Sequence, residues 1–244
     1  MINTTSNHGG RFANQFFISM VLHYLAKKNN LRASYKEYDR LKRLGVDLFI
    51  NGTNTYSETI KLTDNNFVDL IKSCEPQNKN FLIENDAWFQ SHCFSLYLKN
   101  NFIPENKENI INCNMFKERY NNNNDLFIHV RLDDIVWKQG NETYEYYDKA
   151  ISCLNFETGY ISSDSIDHDI CLRLISKYNL KIIYYDVVET IMFGSTAKNI
   201  ILSGGTFSWL IGFLGFYSKI LYPNFRCQWF GNIFIFDDWT RVYY

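Results

Sequence analysis

The chain has 244 residues, and 46% of them are hydrophobic, which is enough to bury the core of one large α/β domain or of two modest lobes. Its formal charge is −1, with 25 basic and 26 acidic residues, which argues against a general nucleic-acid or membrane-surface binder. The six cysteines form no CxxC pair, which predicts reduced, mostly buried thiols.

The start of the chain, MINTTSNHGG, shows neither the basic region nor the apolar region of a secretion signal. No run of about 18 apolar residues, the length that a membrane helix needs, occurs in the sequence. We therefore expect a soluble, cytoplasmic protein with no membrane span, and the balanced charge makes nucleic acid an unexpected partner.

The first predicted helix follows the glycine pair of HGGRFANQFFISMVLHYLAKKNN, and its apolar residues recur with helical spacing over 16–25. Glycines before a helix usually form only a turn. Gly10 also lets a ligand approach the backbone, and the free N–H groups of a helix start favour an anion such as phosphate. Asn14 and Gln15 add two amides that can face either a sugar or the core.

The middle of the chain gives weaker signals. Residues 31–80 show no sustained period, whereas FLIENDAWFQSHCF places a short apolar run, 81–83, before a cluster of aromatic and amide side chains. An aromatic corner of the core is the simpler interpretation of that cluster. Residues 100–124, with Pro104 and four consecutive asparagines, predict a connection between two lobes, which we place at 1–122 and 123–244.

Strand-like and helical patterns alternate over residues 126–223. The strand-like segments are LFIHV, GYISS, KIIYYD, NIILS and KILYP, and helical spacing lies between them at 144–154, 166–178, 188–197 and 207–217. This alternation predicts an α/β fold with a doubly wound, mostly parallel sheet. Ligands of such sheets bind at the carboxyl ends of the strands, where we expect the site.

Three of these strands end in polar groups, at 129–134, 162–164 and 203–209. Arg131 follows a buried strand and needs an anionic partner, which is Asp133 or Asp134 in the simpler interpretation and a phosphate in the functional one. Spacing alone favours neither interpretation. The SGGT segment, with Gly205 before a helix, is a second candidate phosphate cradle, and Thr206 can equally cap that helix.

Five segments in order resemble the α1,2-fucosyltransferase family, within the superfamily that includes α1,6- and protein O-fucosyltransferases. GGRFANQFF is similar to the family's GGLGNQ motif, AWFQSHCF to GYFQSEKYF, LFIHVRLDD to the HxRxxD core, YISSDS to a strand ending in Ser and Asp, and ILSGGTFSW to IISNSSFSWW. The resemblance covers roughly residues 9–215. It implies a GT-B-like fold of two Rossmann-type lobes with a compact N-terminal, acceptor-side lobe and a C-terminal, nucleotide-sugar-binding lobe.

The resemblance also implies an activity: inverting, metal-independent transfer of fucose from GDP-fucose to a hydroxyl of a glycan acceptor, α1,2 to a terminal galactose. GDP-fucose would be the donor substrate, with no cofactor and no metal. Arg131 would stabilise the departing diphosphate, Asn14 would lie near the sugar and phosphate, and Asp134 would be either the base or an ion-pair partner of Arg131. The residues implied in nucleotide binding are His129, Arg131, Gly10, Arg11, Asp164, Glu189, Ser203, Gly205 and Thr206.

The sequence departs from the family at four places. Leu132 stands where α1,2 members carry a second Arg, Ala13 replaces a motif glycine, and the polar stretch 2–8 replaces a hydrophobic first strand. The family's acidic guanine reader falls near Thr190, so Glu189 or its neighbour Asp186 would have to replace it. An inactive nucleotide-sugar-binding or glycan-binding relative, and a transferase that uses another GDP-sugar, are therefore the alternatives. A dehydrogenase or methyltransferase is disfavoured because no GxGxxG follows a strand.

Overall fold

The computed structural model describes residues 10–132, 143–224 and 232–244. These residues divide into two compact units, and the division lies between Cys113 and Asn114, with 234–244 in the second unit. The division falls within the segment predicted to connect two lobes, and it lies earlier in the chain than the predicted boundary after residue 122.

The first unit is mainly helical within the described residues. Its helices are α1 (Phe12–Asn29), α2 (Tyr38–Arg43), α3 (Phe67–Lys72), α4 (His92–Tyr97) and α5 (Ile103–Cys113). Two short strands, β1 (Thr59–Leu62) and β2 (Asn80–Ile83), pair in parallel. Helix α1 is the predicted first helix, and most of its residues are buried, so it packs on several sides instead of presenting a single apolar stripe.

Residues 92–113 form one nearly continuous helical segment, which overlaps the predicted connection, 100–124, over residues 100–113. A π-helical turn, Leu98–Phe102, joins α4 to α5, and the N–H of Ile103 donates to the carbonyl of Leu98. Pro104 is the second residue of α5, one residue beyond this turn. Proline lacks the N–H that an α-helix needs, and its ring presses on the carbonyl four residues earlier, so the wider turn accommodates it. The prediction of a linker is therefore wrong up to Cys113.

The second unit contains a six-stranded parallel sheet. Its strands are β3 (Leu126–Val130), β4 (Gly159–Ser163), β5 (Lys181–Ile182), β6 (Asn199–Ile201), β7 (Lys219–Pro223) and β8 (Trp239–Val242). Their order in the sheet is β5-β4-β3-β6-β7-β8, and every neighbouring pair is parallel. The helices that alternate with them are α6 (Tyr144–Ser152), α7 (Asp169–Tyr178), α8 (Val187–Gly194) and α9 (Thr206–Phe213). The predicted α/β fold with a parallel sheet flanked by helices is confirmed, whereas the pairing of two Rossmann-type lobes stays a prediction.

The two faces of strand β3 are covered by different helices, because side chains alternate along a strand. Leu126, Ile128 and Val130 share a buried cluster with residues of α6 and α7. Phe127, on the other face, packs against Phe193 of α8 with ring centroids 6.2 Å apart. All five residues of β3 are buried, which explains its continuous apolar pattern. Phe127 and His129 share this face of β3, and His129 belongs to the candidate site.

Two expectations drawn from composition concern the cysteines and membrane helices. Among the described residues Cys74, Cys93, Cys113 and Cys153 are exposed free cysteines, and Cys171 is buried. The prediction of mostly buried thiols is therefore wrong, and Cys227 lies outside the described residues. No helix in the described ranges combines the length and the apolarity needed to cross a bilayer.

Candidate functional site

The candidate site lies where the strand order of the second unit reverses direction. Strand β3 is followed along the chain by β4 on one side of it, and β6 returns to pair with its other side. The order matches the 3-2-1-4-5-6 arrangement of dinucleotide-binding sheets, in which ligands occupy the crevice at the carboxyl ends of the two central strands. The residues at those two ends are His129 and Val130, the last two of β3, with Arg131 directly after them, and Leu202 to Gly205 after β6.

Arg131 lies against the backbone at the start of α9. A Cβ built on Gly205 would lie 2.7 Å from Nη1 of Arg131, so the guanidinium occupies the space that any side chain at position 205 would need. Gly205 has φ +106° and ψ 160° and is the N-cap of α9. The N-terminus of a helix carries partial positive charge and unsatisfied N–H groups. The guanidinium and the N-terminus of α9 together therefore favour an anion.

Asp164 fixes the backbone just beyond Arg131. One of its carboxylate oxygens accepts a hydrogen bond from the N–H of Leu132 at 2.8 Å. Asp164 follows β4, the neighbour of β3 in the sheet, so the two strand ends are tied together at the carboxyl edge. Asp164 is exposed and Arg131 is half-buried, which leaves this edge accessible to solvent. Asp164 therefore orients the backbone next to the arginine.

His129 is buried inside a small hydroxyl network. Its Nδ1 lies 3.1 Å from Oγ of Ser203 and 2.5 Å from Oγ of Ser208, and the two hydroxyls lie 2.8 Å apart. The ring also packs against Phe207, with centroids 4.9 Å apart. Burial, and secondarily the nearby charge of Arg131, lower the pKa of His129 to about 3. The imidazole is therefore neutral near pH 7, and Arg131 supplies the positive charge of the site.

Thr206 does not cap helix α9. The helix begins at Thr206 itself, and its N-cap is Gly205, which has no side chain to accept the first N–H groups. The alternative in which Thr206 serves as the cap is therefore wrong. Thr206 is buried, 6% exposed, at the first helical position beside the end of β6.

Glu189 and Asp186 form the start of α8. The carboxylate of Asp186 accepts the N–H of Glu189 at 2.8 Å, and Oε2 of Glu189 accepts the N–H of Asp186 at 3.3 Å. This reciprocal capping box gives both carboxylates a structural role. Helix α8 follows β5, so its start lies at the carboxyl edge of the sheet. Thr190, at the aligned position of the family's acidic residue, is buried and donates to the carbonyl of Tyr185.

The first unit brings two of the predicted segments together. Gly10 has φ +113°, and a Cβ at that position would lie 2.7 Å from the ring of Trp88 and 3.2 Å from Nδ2 of Asn14. The amide of Gln90 donates to Oδ1 of Asn14 at 3.1 Å. Arg11 is the N-cap of α1 in an extended conformation. Gly10 and Asn14 of the glycine motif therefore form one cluster with Trp88 and Gln90 of the AWFQS segment, residues 87–91.

The AWFQS segment is held by a residue that the sequence analysis did not identify. Asp64 accepts hydrogen bonds from the backbone N–H groups of both Trp88 and Phe89. Phe89 has φ +59°, a left-handed conformation that is rare for a bulky residue, and its side chain is fully buried. The segment is thus a constrained turn and also, as the simpler interpretation held, part of an aromatic core with Phe67 and Phe94.

The proposed base falls outside what the structure describes. Asp133 and Asp134 lie in residues 133–142, which the structure does not describe, so the catalytic assignment of Asp134 stays a prediction. Within the described residues, no group of three or more His, Cys, Asp or Glu side chains is placed to hold a metal ion. The helix predicted over 166–178 begins later, at Asp169, and its N-cap His168 accepts the N–H of Ile170 at Nδ1.

Comparison of the chain with models of known protein families, with curated proteins and with solved structures gave no match.

Proposed function

We propose that this chain is an inverting glycosyltransferase that moves fucose from GDP-fucose to a hydroxyl of a glycan acceptor, without a metal. The observation that carries the proposal is the position of Arg131 against the N-cap of α9, at the reversal of strand order. A diphosphate fits this combination because a guanidinium donates two parallel hydrogen bonds to phosphate oxygens and a helix start donates N–H groups.

The chemistry of glycosyl transfer needs positive charge at this place. As the bond between the sugar and the diphosphate breaks, its electron pair goes to the departing GDP, and the sugar carbon becomes oxocarbenium-like. Fixed positive charge beside the diphosphate lowers the barrier because it interacts more strongly with the transition state than with the ground state. The acceptor oxygen forms the new bond from the opposite face, and its proton passes to a base, for which Asp134 is our candidate.

The remaining assignments follow the family resemblance. A GT-B-like pair of lobes is part of the proposal, with the donor nucleotide on the second unit. His129 would contact the nucleotide, Asn14 the donor sugar or its phosphate, and Glu189 or Asp186 the guanine base. The contact between the glycine motif and the AWFQS segment supports the resemblance, since both segments were identified separately as family motifs.

Release of nucleoside diphosphate from a panel of GDP- and UDP-sugars tests the proposal, with and without galactose-terminated acceptors and in EDTA. Turnover of GDP-fucose alone, dependent on acceptor, is the expected result. Turnover of a different donor would keep the transferase and overturn the sugar. Absence of turnover together with a rise in Tm on adding GDP would favour an inactive nucleotide-binding relative, and absence of any GDP effect would overturn the donor site.

A further inference from the structure

The hydroxyl network around His129 determines which ring nitrogen carries the proton. The backbone N–H of Ser203 donates to Oγ of Ser208 at 3.1 Å, and this donor is fixed because an amide cannot reverse its role. Oγ of Ser208 therefore has one acceptor position left, and its O–H is free to turn toward either neighbour. His129 Nδ1 is the nearer of those two neighbours, at 2.5 Å against 2.8 Å for Oγ of Ser203.

Only one tautomer satisfies every donor in this network. If Nδ1 is unprotonated, Ser208 donates to Nδ1 and Ser203 donates to the remaining acceptor position of Ser208. If Nδ1 carries the proton and donates to either hydroxyl, the O–H groups of Ser203 and Ser208 have only each other as acceptors, so one of them has no acceptor left in the network. Ser203 is 0% and Ser208 1% exposed, so bulk solvent does not reach either residue, and a buried unsatisfied hydroxyl is unfavourable.

The other ring nitrogen, Nε2, then carries the proton. Every hydrogen bond that the described residues make to the imidazole is at Nδ1, although the side chain is only 6% exposed. Arg131 comes two residues after His129 and directly follows β3, so the alternation of side chains along a strand, continued by one residue, predicts the two side chains on one face. A neutral N–H donor is thus held beside the guanidinium at the carboxyl edge of the sheet.

We infer that Ser208 is a positioning residue, which holds His129 as the Nε2–H tautomer so that Nε2 donates a hydrogen bond to a nucleoside diphosphate bound at Arg131. The ligand in this inference rests on the proposed function, whereas the tautomer does not. Arg131 then supplies the charged donors of the site and His129 a neutral, directional one. The start of α9 thus has two roles: Gly205 leaves space for the guanidinium of Arg131, and Ser208 orients the imidazole of His129.

Long-range proton–nitrogen NMR of the ¹⁵N-labelled full chain tests the tautomer directly, with the His129→Gln variant to assign the signals. From about pH 8 to about pH 5 we expect Nδ1 to resonate as an unprotonated nitrogen and Nε2 as a protonated one. A protonated Nδ1, or a cationic ring in this pH range, would overturn the inference without any ligand being present.

The role of Ser208 is tested against Ser203, because both hydroxyls lie close to Nδ1. In Ser208→Ala the Nδ1 signal should move toward that of a nitrogen without a hydrogen bond, whereas in Ser203→Ala it should stay near its wild-type position. The opposite pattern would overturn Ser208 as the donor. We also expect Ser208→Ala to bind GDP about tenfold more weakly, the loss of about one good hydrogen bond.

Addition of GDP separates this inference from the proposed function. If GDP raises Tm and shifts the Nε2–H signal, the donor role is supported. If GDP raises Tm and leaves that signal in place, the donor role is wrong although the nucleotide site stands. If GDP does not bind at all, the nucleotide assignment is wrong in both proposals, while the tautomer measured in the free protein still decides the role of Ser208.

Discussion

The guanidinium of Arg131 occupies the space beside the Cα of Gly205, where a Cβ would lie 2.7 Å from Nη1. Residue 205 is therefore restricted twice, by this contact and by its φ of +106°, which L side chains rarely adopt. The relationship links a strand end and a helix start that are far apart in the sequence.

Gly205→Ala should weaken GDP binding by about tenfold or more and lower the free energy of unfolding by about 1–3 kcal/mol. The added methyl group must displace the guanidinium, and the residue must leave its backbone conformation. Calorimetric titration with GDP and denaturant unfolding measure the two effects.

Gly45→Ala is the matched control for that substitution. Gly45 has φ +80°, and its Cβ would lie 2.8 Å from the carbonyl oxygen of Asn109, but it belongs to the first unit. We expect comparable destabilisation with unchanged GDP affinity. Equal losses of affinity in both variants would show that Gly205 acts through general stability alone.

Stability should fall as the pH falls below 6.5, because two histidines are buried in the neutral form. The pKa of His23 is lowered from 6.5 to about 4 by burial and by the charge of Lys27, and that of His129 is lowered to about 3. His23 also accepts the backbone N–H of Phe49 at Nδ1, 3.0 Å away, which suits a neutral ring. Between each folded pKa and 6.5 the unfolded chain binds more protons, so acid favours unfolding.

Each histidine should contribute a slope approaching about 1.4 kcal/mol per pH unit within its window, and its contribution is constant above the unfolded pKa. Denaturant unfolding of wild type, His23→Gln and His129→Gln at a series of pH values measures these slopes. Each variant should lose one part of the dependence, whichever way its stability at neutral pH moves. Curves parallel to that of the wild type would contradict the neutral, buried state of the replaced histidine.

Lys28 closes the end of α3, and its replacement by Met should lower the free energy of unfolding by about 2–3 kcal/mol. Its ammonium group donates to the carbonyls of Leu70, Ile71 and Ser73 at 2.9, 2.6 and 2.7 Å. These are carbonyls that a helix end leaves without intrahelical partners. Thermal and denaturant unfolding measure the loss.

Lys27→Met is the control, since Lys27 is exposed and its ion pair with Glu105 is 3.8 Å long and open to solvent. We expect a change within about 0.5 kcal/mol. Similar effects of the two substitutions would mean that the contacts of Lys28 with α3 contribute little.

Asp64→Ala should destabilise the first unit by about 2–4 kcal/mol, because two backbone N–H groups lose their acceptor and the left-handed conformation of Phe89 loses its support. Asp86→Ala changes an exposed aspartate near the same turn and should have little effect. Hydrogen exchange of the Trp88 and Phe89 amides would show whether the turn opens. Unchanged protection in Asp64→Ala would contradict this role.

The parts of the fold that depend on local pattern could be predicted from the sequence. The apolar run of β3 and the largely apolar segment KILYP of β7 match their strands, and the parallel order follows from the helices between them. Strand β8 was missed because WTRV is short and half polar, and it is a strand only through its pairing with β7. The helical segment around Pro104 was missed because proline normally ends a helix, and a π-helical turn is not visible in the sequence.

The sequence predicted the site residues that are polar or charged and lie at the end of a predicted strand. His129, Arg131, Asp164 and Ser203 were placed at strand ends, and the structure has them at the carboxyl edge. The bond between His129 and Ser208 joins residues 79 positions apart and depends on how α9 packs against the sheet, so no local pattern shows it. Asp64 likewise contributes through a turn in an irregular region, where composition carries no signal.

In the proposed reaction Arg131 binds and stabilises the departing diphosphate. The most direct measurement is acceptor-dependent release of GDP from GDP-fucose by wild type, Arg131→Lys and Arg131→Ala, with the exposed Arg173→Ala as the control arginine. We expect turnover by the wild type and the control, a loss of about 10²-fold or more in kcat/KM for Arg131→Ala at unchanged Tm, and incomplete recovery by lysine, which lacks the paired donors. Turnover by folded Arg131→Ala at the wild-type rate would contradict this role of Arg131.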